Sequence, residues 1–388
     1  MKTIPYAIQW IDQKDIRSVT KILKSNFLTQ GPTVELFDRA VAKCCDAKYA
    51  VSVANGTAAL HLACLAAGIQ SGDEVITSPI SFVASANCVL YCGGKPIFAD
   101  IREDTINIDP AEIEKKITGK TKAIIPVDFA GQPADLKKIY EIAQKNKLLL
   151  IEDASHALGA TYEGTKIGSG RFADMTTLSF HAVKHITTAE GGAVVMNNDH
   201  FYKKLLRLRT HGITRDPNQL TGNDGGWYYE MQDLGFNYRL TDMQCALGLS
   251  QLPKLNKFLK RRREIAAAYN KAFSRYDEVR FLPDAPQVRS AQHIYVLMFK
   301  RNKFSVPRKT IFEEYRRQGI LVNVHYIPIY YQPFYQKLGY ARGSCPNAEN
   351  YYEETVTLPL FPKMSTADVK RVIAVTEKII QQYRKVRS

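Results

Sequence analysis

The chain lacks any apolar run near the ~20 residues that a membrane-spanning helix requires, so it does not read as an integral helical membrane protein. Its first residues, Met1-Lys2-Thr3-Ile4-Pro5-Tyr6, have no apolar core of the kind a secretory signal carries. Cysteine is sparse: seven in 388 residues, an odd number with Cys44 and Cys45 adjacent. That pattern excludes a disulfide framework and points to a reducing, cytoplasmic setting. There is no internal repeat and no low-complexity tract, and glycine is too irregularly placed for a fibrous chain. Acid is short in one region only. Residues 1–255 carry 28 Lys/Arg against 27 Asp/Glu, whereas residues 256–388 carry 25 against 11, so nearly all of the net +15 lies in the last third. A basic lobe suits an anionic partner (a nucleic acid, a membrane surface or a phosphorylated small molecule) and equally a solvated face that confers solubility.

What is present is an ordinary globular composition, 45% hydrophobic and 23% charged, with length for one large or two medium domains. Short Val/Ile-rich runs bounded by Gly, Pro or Asp recur at Tyr49–Val53, Glu74–Ser78, Pro96–Asp100, Ala123–Val127, Leu148–Glu152, Met175–Phe180 and Ala193–Asn197. They read as buried strands. Helical patterns at Thr57–Ala67, Phe82–Tyr91 and Pro133–Asn146 lie between several of them, which predicts a mostly parallel α/β sheet covered on both faces. The close spacing of the last two runs predicts a local break in the alternation. Beyond Phe201–Thr210, a helix candidate, Gly212–Gly226 reads as a loop. A helix is expected from Thr241 or Asp242, divided by Pro253 before Lys254–Phe273. A strand at Ile294–Phe299, a helix at Pro307–Gln318, a strand at Leu321–Val324 and a helix from Thr366 to Arg384 complete a smaller α+β lobe. The expected domains are therefore 1–255 and 256–388.

Four stretches carry candidate chemistry. Asn55-Gly56-Thr57-Ala58 joins a strand to a helix, a turn that either cradles a phosphate on backbone N–H groups or merely makes a tight connection. Gly168-Ser169-Gly170 matches part of a dinucleotide fingerprint, but no strand closely precedes it and it reads as a loop. Glu152-Asp153-Ala154-Ser155-His156 ends a strand, so Asp153 either points a carboxylate into the ligand crevice or caps a helix. In Ser179-Phe180-His181-Ala182-Val183-Lys184-His185, Lys184 sits in a polar loop before Gly191-Gly192. A lysine near a phosphate cup and a buried carboxylate suits a Schiff base to an aldehyde cofactor. His181 and His185 have the spacing of metal ligands on a helix, yet the loop pattern and the missing third ligand favour hydrogen bonding, and no metal is expected. The densest basic cluster, Lys260-Arg261-Arg262-Arg263, lies on an amphipathic helix without a zinc finger or RNA-recognition motif, which makes nucleic-acid binding the minor reading.

Asn-Gly-Thr, Glu-Asp-x-x-His, Ser-Phe-His-x-x-Lys and Glu-Gly-Gly, in this order, resemble the fold-type-I pyridoxal-phosphate aminotransferases of the DegT/DnrJ/EryC1/StrS type, which act on nucleotide-linked keto-sugars. Ser78–Ala84, Ser179–Val195, Gly235–Leu240 and Val324–Tyr330 are similar to the branch that serves pseudaminic acid synthesis, and His156, where the family often has Gln, agrees with that branch. The resemblance implies a seven-stranded sheet domain with a smaller C-terminal domain, and pyridoxal 5'-phosphate bound through Lys184. It implies Asp153 on the ring nitrogen, His156 near the ring oxygen, Phe82 over the ring face, and Gly56, Thr57, Ala58 and Ser179 at the phosphate. It further implies a UDP-linked 4-keto-sugar as acceptor and L-glutamate as amino donor. Tyr6, Asn26, Phe27, Leu28, Thr29, His325, Tyr326, Ile327 and Pro328 would bind the sugar, and Arg239 is a candidate for the donor's carboxylate. Asn237 would reach the cofactor and substrate of a neighbouring subunit, making a homodimer with composite sites. Another nucleotide (dTDP or GDP) or a 3-keto-sugar is the nearest alternative. A related dehydrase branch carries histidine in place of the lysine, and Lys184 argues against it.

Overall fold

The computed structural model describes residues 3–283 and 285–385. Its centre is a seven-stranded sheet built from β1 (Tyr49–Val53), β2 (Glu74–Thr77), β3 (Lys95–Phe98), β4 (Thr121–Ile125), β5 (Leu149–Asp153), β6 (Met175–Ser179) and β7 (Gly192–Met196), in the order β1-β7-β6-β5-β4-β2-β3. Every predicted run contributes a strand, each within two residues of its expected start and end. β2, β3, β4, β5 and β6 are mutually parallel, while β7 runs antiparallel to both β1 and β6, pairing Tyr49 with Met196 and Ser179 with Gly192. That is the break the short spacing anticipates: the link from β6 to β7 holds no helix, only the loop that carries Lys184.

Both faces of the sheet are covered, which is why its strands are apolar at successive positions. Ile125, Ile151 and Val194 pack on one side, with α3 (Gly56–Ala66) and α4 (Ala84–Tyr91). Ile124, Leu150 and Val195 pack on the other, with α2 (Pro32–Cys45), which follows α1 (Gln13–Leu23), and with α6 (Leu136–Lys145), the short α5 (Pro110–Lys116) lying beside α6. After α7 (Asp199–Arg209), the expected loop Gly212–Gly226 contains a short strand, Ile213–Thr214, paired with Glu230–Met231. Thr241 then caps α8 (Asp242–Gln251) with a reciprocal bond to Gln244, and Pro253 lies in the single 3-10 turn that separates it from α9 (Leu255–Phe273).

A three-stranded antiparallel sheet follows: β8 (Val279–Phe281), β9 (Tyr295–Phe299) and β10 (Thr355–Leu358), in the order β8-β9-β10. It shares an apolar core with α9, α10 (Arg308–Arg317), α11 (Thr366–Tyr383) and Ile4 from the start of the chain. The expected strand at Leu321–Val324 does not form. Leu321 N–H donates to Ile4 while Asn323 pairs with Thr357, so the segment changes partner after two residues and no ladder builds. Among the described residues no helix is long and apolar enough to cross a membrane.

Candidate active site

Where β1, β2, β4, β5 and β6 end, their following residues converge on one cavity of about 810 Å³, at the carboxyl edge where parallel sheets bind ligands. Asn55 caps α3, its Oδ1 accepting from Ala58 N–H at 2.8 Å. Ala58 N–H is thus held within the turn, and the N–H groups of Gly56 and Thr57 are without an acceptor among the described residues. The turn has no room for larger residues. A Cβ on Gly56 would stand 3.0 Å from Ser179 Cβ, and one on Gly192 would stand 2.5 Å from the Asn55 carbonyl oxygen.

Asp153 occupies the last position of β5 and is buried. Ser85 Oγ donates to its Oδ2 at 2.6 Å, and Ser155 supplies its Oγ at 2.6 Å and its N–H at 3.1 Å to Oδ1. The carboxylate is thereby fixed without a cation of its own. Lys184 projects into the same cavity with Nζ 3.5 Å from His293 Nε2. Burial pulls its ammonium down to about 8, helped by the Arg262 charge and opposed by that of Asp153. His156 lies between His293 (ring centroids 4.3 Å apart) and Tyr326, whose hydroxyl is 3.2 Å from His156 Nε2. Burial and the nearby Lys184 charge hold His156 and His293 well below the usual histidine range, so both rings are neutral. His325 is pushed down to about 3 by the same causes, and its Nδ1 is 2.9 Å from Thr357 Oγ1.

Of the residues expected from the sequence, Gly56, Thr57, Ala58, Phe82, Asp153, His156, Ser179, Lys184, Tyr6, His325 and Tyr326 line this one cavity. Phe82 stands at its rim, 59% exposed. Asn26, Phe27, Leu28, Thr29, Ile327, Pro328, Asn237 and Arg239 do not line it, and Asn26–Thr29 and Asn237 are exposed. His181 and His185 lie in a loop rather than on a helix; His181 faces the cavity, 3.8 Å from Glu190, and His185 is buried behind it. Ser85 and His293 were not legible as site residues. Ser85 continues the Ser81-x-x-x-Ser85 spacing on one side of a helix start, with the two hydroxyls 2.7 Å apart. His293 follows Lys184 by 109 residues and carries no local motif.

The chemistry of these donors suits one kind of ligand. A flat ring with a basic nitrogen matches the anchored Asp153, a phosphate matches the open N–H groups at the start of α3, and a carbonyl matches a lysine with a weakened hold on its proton. The unpaired, buried Nδ1 atoms of His156 and His293 are further polar contacts awaiting a partner. This is the architecture of a pyridoxal-phosphate enzyme of fold type I.

Comparison with known proteins narrows the class. The chain belongs to the DegT/DnrJ/EryC1/StrS aminotransferase family, whose model matches residues 9–377. It is 40% identical to the spore coat polysaccharide biosynthesis protein SpsC of Bacillus subtilis, over 97% of each chain. It is 39% identical to the UDP-4-amino-4,6-dideoxy-N-acetyl-beta-L-altrosamine transaminase of Campylobacter jejuni, over 98% of this chain and 99% of that one. Helicobacter pylori PseC, an aminotransferase of pseudaminic acid biosynthesis, superposes with a TM-score of 0.91 at 34% identity, covering 98% of this chain and 100% of that one. The Streptococcus pneumoniae sugar aminotransferase Spr1654, solved in both pyridoxal and pyridoxamine forms, superposes at 0.91 and 0.92 with 30% identity, over 98% and 99% of the two chains. The protein is accordingly a pyridoxal-phosphate-dependent sugar aminotransferase.

Proposed function

We propose that the protein aminates C4 of a UDP-2-acetamido-2,6-dideoxy-4-keto-hexose with L-glutamate as donor, in the synthesis of pseudaminic acid. The observation that carries the chemistry is the half-buried Lys184 side chain, which shares the cavity with the anchored Asp153 and holds its proton weakly. The full-length likeness to an altrosamine transaminase and to PseC supports the substrate. Pyridoxal phosphate, when bound, supplies an aldehyde that exchanges amines and a ring that accepts the electron pair freed at the donor carbon.

In this reading Lys184 Nζ would hold the cofactor at its aldehyde end and, as the base of the site, would carry the proton taken from the donor's α-carbon. Asp153 keeps a proton on the ring nitrogen. Gly56, Thr57 and Ala58 at the start of α3 and the Ser179 hydroxyl would hold the phosphate. Phe82 covers one ring face, and the neutral His156, braced by Tyr326, stands at the ring oxygen. Tyr6, His325 and Tyr326 offer flat faces and hydrogen bonds to the sugar. Asn237 would act on the site of a second subunit in a homodimer, and the segment Asn26–Thr29, Ile327 and Pro328 would contact the nucleotide-sugar. The exposure of Phe27, Leu28, Trp227, Met231 and Leu234, all large and apolar, supports that assembly. Residues 1–255 and 256–388 serve as the large and small domains. The free state of all seven cysteines fits a cytoplasmic setting.

The purified protein is expected to absorb in the visible, to be bleached by borohydride, and to lose the band in Lys184→Ala. A protein that takes up no pyridoxal phosphate contradicts the reading. The likeness to SpsC makes a different nucleotide-linked keto-sugar the second reading, and a panel of UDP-, dTDP- and GDP-linked keto-sugars separates the two.

A further inference from the structure

Successive residues of a strand face opposite sides of the sheet. Ile151 packs on the α3 side and Leu150 on the α6 side, so Glu152 points away from the cavity that Asp153 faces. Glu152 is 2% exposed and receives Thr176 Oγ1 on Oε2 at 2.7 Å, with the Gly168 N–H as a second donor. The chain leaving β4 brings Asp128, 0% exposed, alongside it; Asp128 Oδ1 accepts from Ala134 N–H at 3.0 Å. The remaining oxygens, Asp128 Oδ2 and Glu152 Oε1, are buried and without a donor, yet the two carboxyl groups lie within hydrogen-bonding reach of each other. Two bare carboxylates cannot bond, and burying both charges side by side is strongly disfavoured. A single proton between them removes one charge and satisfies both orphaned oxygens.

We propose that Asp128 and Glu152 share one proton, carried on Asp128, and that this singly charged pair is a positioning device for Asp153. The proton belongs on Asp128 because Glu152 already receives a hydroxyl and an amide, which favour its anion, whereas Asp128 receives one amide. The coupling to the site runs through the backbone. Asp128 N–H donates to the Asp153 carbonyl at 3.1 Å, and Asp153 N–H donates to the Pro126 carbonyl at 2.9 Å. Fixing Asp128 from behind therefore fixes the strand end that presents Asp153. The ionisable groups whose charge the pair senses are Asp153, across the strand, and the buried thiol of Cys45 at the end of α2. One negative charge behind Asp153, rather than two, lessens the repulsion at that strand end. The role toward Asp153 rests on the cofactor reading above; the shared proton does not.

Infrared spectroscopy of the whole protein with isotope-labelled aspartate tests the proton directly. The carbonyl stretch of a protonated aspartic acid is expected at neutral pH, and it is expected to vanish in Asp128→Asn. That substitution keeps both the hydrogen bond to Glu152 and the single charge, so affinity for pyridoxal phosphate should stay within about twofold of the native protein, while Asp128→Ala should weaken it by about tenfold. Absence of the protonated band in the native protein, or an Asp128→Asn variant as impaired as Asp128→Ala, overturns the proposal. The infrared result stands even if Asp128→Ala does not fold. It is also separable from the proposed function: a colourless protein that keeps the band defeats that reading and leaves the shared proton intact.

Discussion

At the scale of single residues, the site works by withholding charge from groups that would otherwise carry it. His156 and His293 are kept neutral by burial, and Lys184 is brought to about 8 against Asp153's opposing pull. Only the unprotonated amine attacks an aldehyde. The rate at which the cofactor-free protein binds pyridoxal phosphate covalently should therefore rise with pH, with a midpoint near the Lys184 value of about 8. Because the Asp153 charge raises that value, Asp153→Asn should move the midpoint to lower pH; stopped-flow absorbance reads both. A midpoint unmoved by Asp153→Asn would mean that the two groups do not sense each other. That Lys184 and Asp153 meet in one cavity was legible in the sequence because Asp153 ends a strand and Lys184 lies in the loop between Ser179 and the Gly191-Gly192 turn. His293 was not, because its place beside Lys184 is made entirely by the packing of distant segments.

At the scale of elements, the start of α3 depends on three strands meeting in register. Gly192 pairs with Val53 and with Ser179, and its missing side chain lets the Asn55-Gly56 turn lie against β7. In Gly192→Ala the new Cβ meets backbone, which cannot swing away, so the turn must shift. A loss of about 1–3 kcal/mol in denaturant unfolding is expected, together with weaker cofactor retention. Gly119→Ala is the control: a Cβ there meets nothing within 4 Å, and the change should stay within about 0.5 kcal/mol. The elements themselves were largely readable, because strands buried on both faces appear as short Val/Ile runs and a capping residue such as Thr241 marks a helix start. Leu321–Val324 misled, since apolar residues alone cannot tell a ladder from two isolated bridges to different partners.

At the scale of the whole molecule, the basic last third is not one uniform surface. Within Lys260-Arg261-Arg262-Arg263, Arg262 is 1% exposed and donates to the carbonyls of His293 and Leu360 at 2.9 Å and of Val183 at 3.4 Å. Arg261 reaches the Met364 carbonyl and Arg263 the Ser290 carbonyl. A cluster that reads as a binding face is in large part a clasp joining α9 to the Lys184 loop, to the residues just before β9 at His293 and to those just after β10 at Leu360. Arg262→Met should cost about 3 kcal/mol of stability by stranding buried carbonyls, whereas Lys260→Ala, on the exposed side, should be nearly silent. Sequence shows the charge but not the carbonyls it meets, so the inward turn of Arg262 was invisible there.

The central claim concerns what the assembled cavity aminates. The protein loaded with the pyridoxamine form of the cofactor should be mixed with UDP-2-acetamido-2,6-dideoxy-4-keto-hexose and, separately, with dTDP- and GDP-linked keto-sugars. Return of the visible absorption with the UDP sugar, accompanied by its 4-amino product, is the expected result. Return only with a dTDP- or GDP-linked sugar, or with none of them, would contradict it.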